Sequence, residues 1–278
     1  MSHTVIQLDV AAESVQQTYG EAKQPRVGFF TDTSLCIGCK ACEVACKTWN
    51  EVPEDVLGFT GKSYDNSGGL GANRWRHVAF IEQQPVQDAD SFRWLMSSDV
   101  CKHCTEAACL DVCPTGALFR TEFGTVVVQE DVCNGCGYCV PACPFGVIEK
   151  REEDGRVWKC TLCYDRLKDD LEPACAKACP TKSIQFGEHD ELRARARDRV
   201  EHLKAQGLAD ARLYGESPED GVGGFGAFFL LLDEPEVYGL PPDPKDTTRD
   251  VGGMWRSAAL ASAALVGALA ASFVGGRR

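Results

Sequence analysis

Sixteen cysteines constrain the fold of this 278-residue chain more than any other feature. They form four motifs, all between positions 36 and 179. Motifs one and three have the spacing C-x2-C-x2-C-x3-C, motif two has a four-residue central gap, and motif four stretches that gap to eleven residues. In sequence order the members are Cys36, Cys39, Cys42 and Cys46; Cys101, Cys104, Cys109 and Cys113; Cys133, Cys136, Cys139 and Cys143; and Cys160, Cys163, Cys175 and Cys179.

The spacing indicates what these sulfur atoms bind. Disulfide frameworks belong to small secreted chains, and the N-terminus MSHTVIQLDVAAESVQQTYG lacks the basic start and apolar run of a leader. Structural zinc uses C-x-x-C pairs and needs neither a third cysteine nor the proline that follows three of the motifs. A zinc-stapled interaction module is therefore only a remote alternative. The run is typical of cysteine-ligated [4Fe–4S] clusters.

The way the motifs pair follows from the sequence that separates them. In two-cluster ferredoxins the first three cysteines of a run hold one cluster and the fourth reaches the other. The segment GALFRTEFGTVVVQED predicts two short strands around a turn at Phe123 and Gly124, so motif two pairs with motif three and motif one with motif four. The predicted ligand sets are set A, Cys36, Cys39, Cys42 and Cys179; set B, Cys46, Cys160, Cys163 and Cys175; set C, Cys101, Cys104, Cys109 and Cys143; and set D, Cys113, Cys133, Cys136 and Cys139.

Four complete sets predict four [4Fe–4S] clusters and a function in one-electron transfer. A cluster whose irons are all bound by cysteine has no open position for substrate, so no catalytic residue is predicted. Four side chains next to the ligands could tune the cluster potentials by charge and hydrogen bonding, or could simply be solvated or packed. They are Lys40, Lys102, His103 and Lys159.

The net charge argues against nucleic acid as a ligand, and the context of one glycine motif argues against a nucleotide. With 41 acidic and 29 basic residues the formal net charge is −12, which repels nucleic acid. Gly221, Gly223 and Gly226 match the G-x-G-x-x-G fingerprint of dinucleotide sites. The preceding YGESPED is turn-like and the following AFFLLL is strand-like, the reverse of the required context, so no nucleotide site is predicted.

Local patterns predict an α+β fold of two ferredoxin-like dicluster units with inserted loops and a single C-terminal transmembrane helix. Strands are predicted at 26–30, 77–82 and 156–160, a long surface loop at 51–74, and a helix at 190–207 with a solvated charged face. The predicted division is an N-terminal arm at 1–25, an outer unit at 26–50 and 150–187, an insertion and strand region at 51–99, an inner unit at 100–149, a C-terminal extension at 188–253 and a membrane helix at 254–276.

The C-terminal end carries the membrane prediction. Residues 257–276 contain no charge, and twenty residues of helix span about 30 Å, the thickness of the hydrocarbon core. An alanine-rich helix lying on protein is the alternative. Arg277 and Arg278 favour a cytoplasmic C-terminus, whereas Lys245, Arg249 and Arg256 oppose it, so the charges leave the orientation open.

Taken with the four motifs, the sequence resembles the four-cluster electron-transfer subunits of molybdenum and tungsten pterin oxidoreductases. Within that group it is similar to the beta subunit of respiratory formate dehydrogenase, from about residue 26 onward. The segments that carry this similarity are CIGCKACEVACKTWN, CNGCGYCVPACPFGV, KCTLCYDR, EPACAKACPT, LYGESPEDGVGG and YGLP. Nitrate reductase beta subunits replace a cysteine of the third motif with tryptophan, whereas this sequence keeps Cys136.

The resemblance implies a function and partners. It implies a non-catalytic subunit that relays electrons from a formate-oxidising alpha subunit, with a molybdenum or tungsten bis-pterin site, to a membrane cytochrome b gamma subunit and quinone. Set A would lie nearest the catalytic subunit and set D nearest the haem. The family's exported members favour the periplasmic face, with the cytoplasmic face as the alternative. The relay subunit of another molybdopterin oxidoreductase, such as polysulfide or sulfoxide reductase, is the alternative function.

Overall fold

The computed structural model describes residues 25–54, 58–61, 64–83 and 92–275. Most of the predicted N-terminal arm, parts of the predicted loop, and Arg277 and Arg278 lie outside the described residues. The strands are β1 Val27–Asp32, β2 Arg76–Gln83, β3 Arg93–Val100, β4 Leu118–Arg120, β5 Val126–Val128, β6 Glu149–Lys150, β7 Val157–Trp158, β8 Ile184–Glu188, β9 Arg212–Tyr214 and β10 Ala227–Leu231. The α-helices are α1 Ala41–Trp49, α2 Ala108–Asp111, α3 Cys139–Ala142, α4 Tyr164–Lys168, α5 Ala174–Lys177, α6 His189–Ala205 and α7 Val251–Gly275.

A four-stranded sheet in the order β8-β1-β10-β9 organises the core. Strand β1 runs parallel to β10 and antiparallel to β8, and β9 is antiparallel to β10. The two central strands are buried along almost their whole length, which explains their nearly continuous apolar sequences. The rings of Phe30 and Phe228 stack across them at 5.4 Å between centroids. The predicted strand at 26–30 and the strand-like AFFLLL are confirmed.

A close backbone approach to Gly226 explains why a glycine stands at position 28. The Phe29 N–H donates to the Gly226 carbonyl at 2.8 Å. A Cβ at Gly28 would stand 2.0 Å from that oxygen, so only glycine fits at this position. The Gly226 N–H donates in turn to the His103 carbonyl at 3.1 Å, which ties the sheet to motif two.

Three antiparallel hairpins surround the sheet. Strands β2 and β3 pair over eight residues, from Arg76 opposite Val100 to Gln83 opposite Arg93. Strands β4 and β5 pair around the turn between Thr121 and Thr125, where two short strands were predicted, so that prediction is confirmed. Strands β6 and β7 form a two-residue ladder, and β7 lies within the strand that was predicted at 156–160.

Helix α6 lies within two residues of its predicted bounds, and Gly207, at φ +95°, follows its end in the left-handed conformation typical of helix termini. Its charged face is not wholly solvated. Arg199 Nε lies 2.9 Å from the carboxylate of buried Asp32, and Arg193 Nε lies 3.1 Å from Glu216. The prediction of a solvated face is wrong for these two arginines, because they pair with carboxylates on other parts of the fold.

Helix α7 is exposed from residue 251 to residue 273. It is one helix that is long and apolar enough to cross a membrane, by length and composition. Leu260, Val266 and Phe273 have 74%, 65% and 79% of their surfaces exposed. The alternative of a helix lying on the protein's own surface therefore does not hold for the described residues.

Candidate metal centres

The same backbone turn shapes all four C-x-x-C loops. The residue before the second cysteine has a positive φ in each motif: 66° at Gly38, 46° at His103, 70° at Gly135 and 57° at Leu162. Glycine adopts this conformation without strain, whereas a non-glycine residue there costs about 1–3 kcal/mol. Two motifs therefore keep a strained residue to preserve a turn that the other two form with glycine.

All sixteen cysteines are free thiols, so the disulfide alternative does not hold. Their electrostatic neighbours show which cysteines the fold brings together. Burial raises the pKa of Cys36, and so do three nearby thiols, Cys42, Cys179 and Cys39. Burial also raises the pKa of Cys46 well above its usual value, together with Cys160, Cys175 and Cys163. The first group consists of the same cysteines as predicted set A, and the second of the same cysteines as predicted set B. Each group combines cysteines from opposite ends of the cysteine-rich region.

The inner motifs meet in the same way. Burial raises the pKa of Cys104 well above its usual value, and three thiols add to the rise, Cys101, Cys109 and Cys143. Burial raises the pKa of Cys139 to about 11, again with three contributing thiols, Cys113, Cys133 and Cys136. These groups have the memberships of sets C and D.

Thiols of neighbouring sets also act electrostatically on one another, in one order. The Cys175 thiol of set B raises the pKa of Cys42 in set A, after burial. Burial raises the pKa of Cys160 in set B to about 12, and the Cys101 thiol of set C contributes. Cys139 of set D likewise contributes to the raised pKa of Cys109, after burial. The sets therefore follow the order A, B, C, D.

The site residues fit a cubane better than a single ion. Within the described ranges, no three His, Cys, Asp or Glu side chains converge tightly enough to coordinate one metal ion. A cubane takes one cysteine at each of four irons, so its ligand sulfurs stand further apart than those of a zinc ion do. The four thiols of set C line one shared cavity: Cys101, Cys104, Cys109 and Cys143.

Backbone donors surround the fourth cysteine of motif two. Burial raises the pKa of the Cys113 thiol, but N–H groups of Leu118, Thr115 and Ala117 and the Thr115 hydroxyl outweigh it and lower that pKa below its usual value. At Cys143 burial prevails and raises the pKa, although the N–H groups of Val147 and Phe145 act to lower it. The C-P-x-G sequences after both cysteines form the turns that present these donors, which stabilise a thiolate.

Two of the four predicted tuning residues are buried lysines, so the solvated alternative is wrong for them. Lys159 is 1% exposed, and its Nζ donates to the carbonyls of Val126 and, at 2.9 Å, Cys160. Burial raises the pKa of Cys109 to about 12, and the Lys159 ammonium opposes the rise. Among the described residues no carboxylate forms an ion pair with Lys159, and its charge acts on the Cys109 thiol of set C.

Lys102 is also 1% exposed, and its ammonium forms an ion pair with Asp99 and lies 4.9 Å from the centre of the Phe229 ring. It opposes the rise in pKa that burial causes at Cys104 and Cys143. Lys40 differs from both buried lysines. Its side chain is 24% exposed and forms ion pairs with Glu43 and Asp65, at 3.2 and 3.0 Å.

His103 lines the set C cavity. The Val126 N–H donates to its Nδ1 at 3.1 Å, so the neutral ring carries its proton on Nε2. That Nε2 is buried, and no described residue forms a hydrogen bond with it. Burial lowers the pKa of His103 well below 6.5, and the nearby Lys159 lowers it further, so the ring is neutral at physiological pH. An Nε2–H donor is thus available beside set C.

Sequence reasoning missed one charged residue at the site. Arg76 is 1% exposed, and the thiols that act on its pKa belong to sets A and B. Its only signal in the sequence is an arginine between Trp75 and the apolar run that follows.

Two family models match the sequence, and each is described as a 4Fe-4S dicluster domain. They cover residues 35–117 and 92–189, a span that includes all sixteen cysteines. The predicted α+β fold with two dicluster units is confirmed by these matches and by the mixture of helices and strands.

Several curated proteins are similar over most of the sequence. The formate dehydrogenase iron-sulfur subunit of Haemophilus influenzae is 45% identical over 218 residues, which are 77% of this chain and 68% of that protein. The formate dehydrogenase-O iron-sulfur subunit of Escherichia coli K12 is 40% identical over 259 residues, 91% of this chain and 84% of that protein. One component of the anaerobic dimethyl sulfoxide reductase of the same organism is 41% identical over 171 residues, which are 62% of this chain and 78% of that protein.

Proposed function

The protein is a member of the family of formate dehydrogenase iron–sulfur subunits, and we propose that it relays electrons from a formate-oxidising pterin subunit to a membrane cytochrome b and quinone. The observation that supports this proposal is that sixteen free thiols act electrostatically on one another in groups, and that these groups follow one order. When bound, a [4Fe–4S] cluster supplies a one-electron donor and acceptor. The protein is therefore the non-catalytic member of an oxidoreductase complex.

The four sets are the proposed ligands of four [4Fe–4S] clusters, A and B in an outer unit and C and D in an inner unit. Metal ligation requires thiolates, so cluster binding displaces the proton of each thiol. Burial raises the pKa of Cys109, Cys160 and Cys139 to about 12, 12 and 11, so these side chains are protonated at neutral pH without metal. The burial that raises these values also keeps water from the sites and gives them a low dielectric.

The proposed route enters at set A and leaves at set D. The order in which thiols of neighbouring sets act on one another supports sets A and D as opposite ends. The resemblance implies that set A lies nearest a molybdenum or tungsten pterin subunit and set D nearest a haem. Three residues stabilise the reduced state of the cluster bound by set C. Lys102 and Lys159 act by charge, and His103 acts through its Nε2–H. Lys40 has a smaller effect because it is partly solvated and neutralised by two carboxylates.

Helix α7 is the proposed membrane anchor, and the soluble part is proposed to face the periplasm. Its length and its exposed apolar surface support the anchor, and the resemblance to exported family members supports the side. A helix presenting Ala263, Gly267 and Ala271 at every fourth position suits close packing against another membrane helix.

The proposal is tested on the complex purified anaerobically from membranes. Formate should reduce both an artificial dye and quinone. Cys139→Ala removes a ligand at the proposed exit, so quinone reduction should be lost while dye reduction, which takes electrons upstream, persists. Tyr138→Phe, at an exposed neighbouring residue, should leave both activities intact. Turnover with a sulfoxide or polysulfide but not formate would instead favour the alternative relay.

A further inference from the structure

Arg76 opens strand β2 and is fully enclosed by the fold, with 1% of its surface exposed. Its Nη1 donates to the Ser98 hydroxyl at 3.0 Å, and its guanidinium carbon lies 5.0 Å from the centre of the Phe29 ring. Its Nε and Nη2 are buried and have no hydrogen-bond partner among the residues that the structure describes. Two strong donor groups thus face no acceptor in the described part of the chain.

Four thiols act electrostatically on this guanidinium. Burial lowers the pKa of Arg76, but four thiols outweigh it and raise that pKa above its usual value: Cys175, Cys42, Cys160 and Cys46. One belongs to set A and three to set B. Among the described residues, Arg76 forms no ion pair with a carboxylate, so these thiols are its anionic partners once they are deprotonated.

Such a residue is expensive to bury without a counter-charge. Both an unpaired buried cation and an unsatisfied buried donor destabilise a fold, and nearby negative charge removes both penalties. The Ser98 hydroxyl, which accepts from Arg76, also lies 3.3 Å from the Cys42 sulfur. The fold therefore holds a positive charge with free donors between set A and set B.

We propose that Arg76 is a positioning residue shared by sets A and B, whose charge and free N–H donors raise the reduction potentials of both clusters. This inference rests on the ligand sets proposed above. Reduction adds negative charge, so a fixed cation stabilises the reduced form more than the oxidised form and raises the potential. The low dielectric of a buried site strengthens that interaction. One residue thereby adjusts two successive carriers together.

The test is a redox titration of the anaerobic complex, followed by electron paramagnetic resonance. Arg76→Met should lower the one-electron reduction equilibrium constants of two clusters by roughly tenfold each, about 59 mV, and leave the other two unchanged. Arg76→Lys keeps the charge and should restore more than half of the shift. Lys102→Met is the matched control, because it removes a buried cation beside set C and should shift a different signal.

Each outcome decides the inference. Unchanged potentials in a fully loaded Arg76→Met complex, or equal shifts of all four clusters, would overturn it. If Arg76→Met instead loses iron, the number of clusters lost decides. Loss confined to two clusters, with full loading of Arg76→Lys, would support the need for charge at this position. Loss of all four clusters in both variants would overturn the inference. Failure of the proposed function would appear in the unmodified complex, as fewer than four clusters.

Discussion

Replacing Lys159 with methionine tests whether a buried charge sets the potential of cluster C. The substitution keeps the length of the side chain and removes an ammonium that is 1% exposed and pairs with carbonyl groups rather than with a described carboxylate. Because that ammonium acts on Cys109, the potential of cluster C should fall.

The size of the effect follows from the burial of the charge. At about 8 Å and an effective dielectric of about 20, one unit charge contributes about 2 kcal/mol, or about 90 mV for one electron. Lys40→Met is the comparison, because Lys40 is partly solvated. At the same separation but a dielectric near 80, the effect falls to about 0.5 kcal/mol, or about 20 mV.

The assay is an anaerobic redox titration of both variant complexes, with iron content measured in parallel. One of the four signals should shift downward in Lys159→Met, by several times the shift of any signal in Lys40→Met. The reasoning is refuted if the fully loaded Lys159 variant keeps all four potentials, or if the Lys40 variant shifts as far.

Three further predictions use other parts of the site. His103→Gly relieves the positive φ but removes the Nε2–H, so the reduction potential of cluster C should fall. In His103→Asn, which tolerates that φ and keeps a donor, the potential should fall less, and equal potentials of the two variants in a titration would contradict this. Cys179→Ala and Cys36→Ala should remove the same paramagnetic signal, and Cys163→Ala a different one; loss of one signal by Cys179→Ala and Cys163→Ala would refute crosswise ligation. Burial lowers the pKa of three histidines, His77, His103 and His189, below 6.5, so the unfolded protein binds more protons than the folded protein under acid conditions. The free energy of unfolding should therefore fall from about pH 7 to about pH 5.5, by at most about 1 kcal/mol per histidine. Equal rates of cluster bleaching in guanidinium at both pH values would contradict this.

Local sequence signals predict much of this fold. The hairpin of β4 and β5, the helix α6 and the strands β1 and β10 each follow from a short pattern of apolar residues and turn residues. The proposed ligand sets also follow from the spacing of the cysteines, because a loop that wraps three sulfurs around one cluster would leave little freedom for the fourth.

The tertiary pairings are what local patterns do not predict. Strand β1 pairs with β10 across about two hundred residues, and RWLMSSDV in β3 was not identified because its register depends on β2. The burial of Lys159 and Arg76 is equally non-local, since charged residues are normally solvated and only surrounding strands and thiols make these two exceptions. Their roles are visible only once the sets have been brought together.

The most direct test of the account is the iron and acid-labile sulfide content of the protein in its anaerobically purified complex, corrected for the iron of the partner subunits. Four sets of four cysteines predict sixteen iron atoms and sixteen sulfides per molecule. Zinc in place of iron, or far fewer iron atoms after full reconstitution, would contradict the assignment of four [4Fe–4S] clusters.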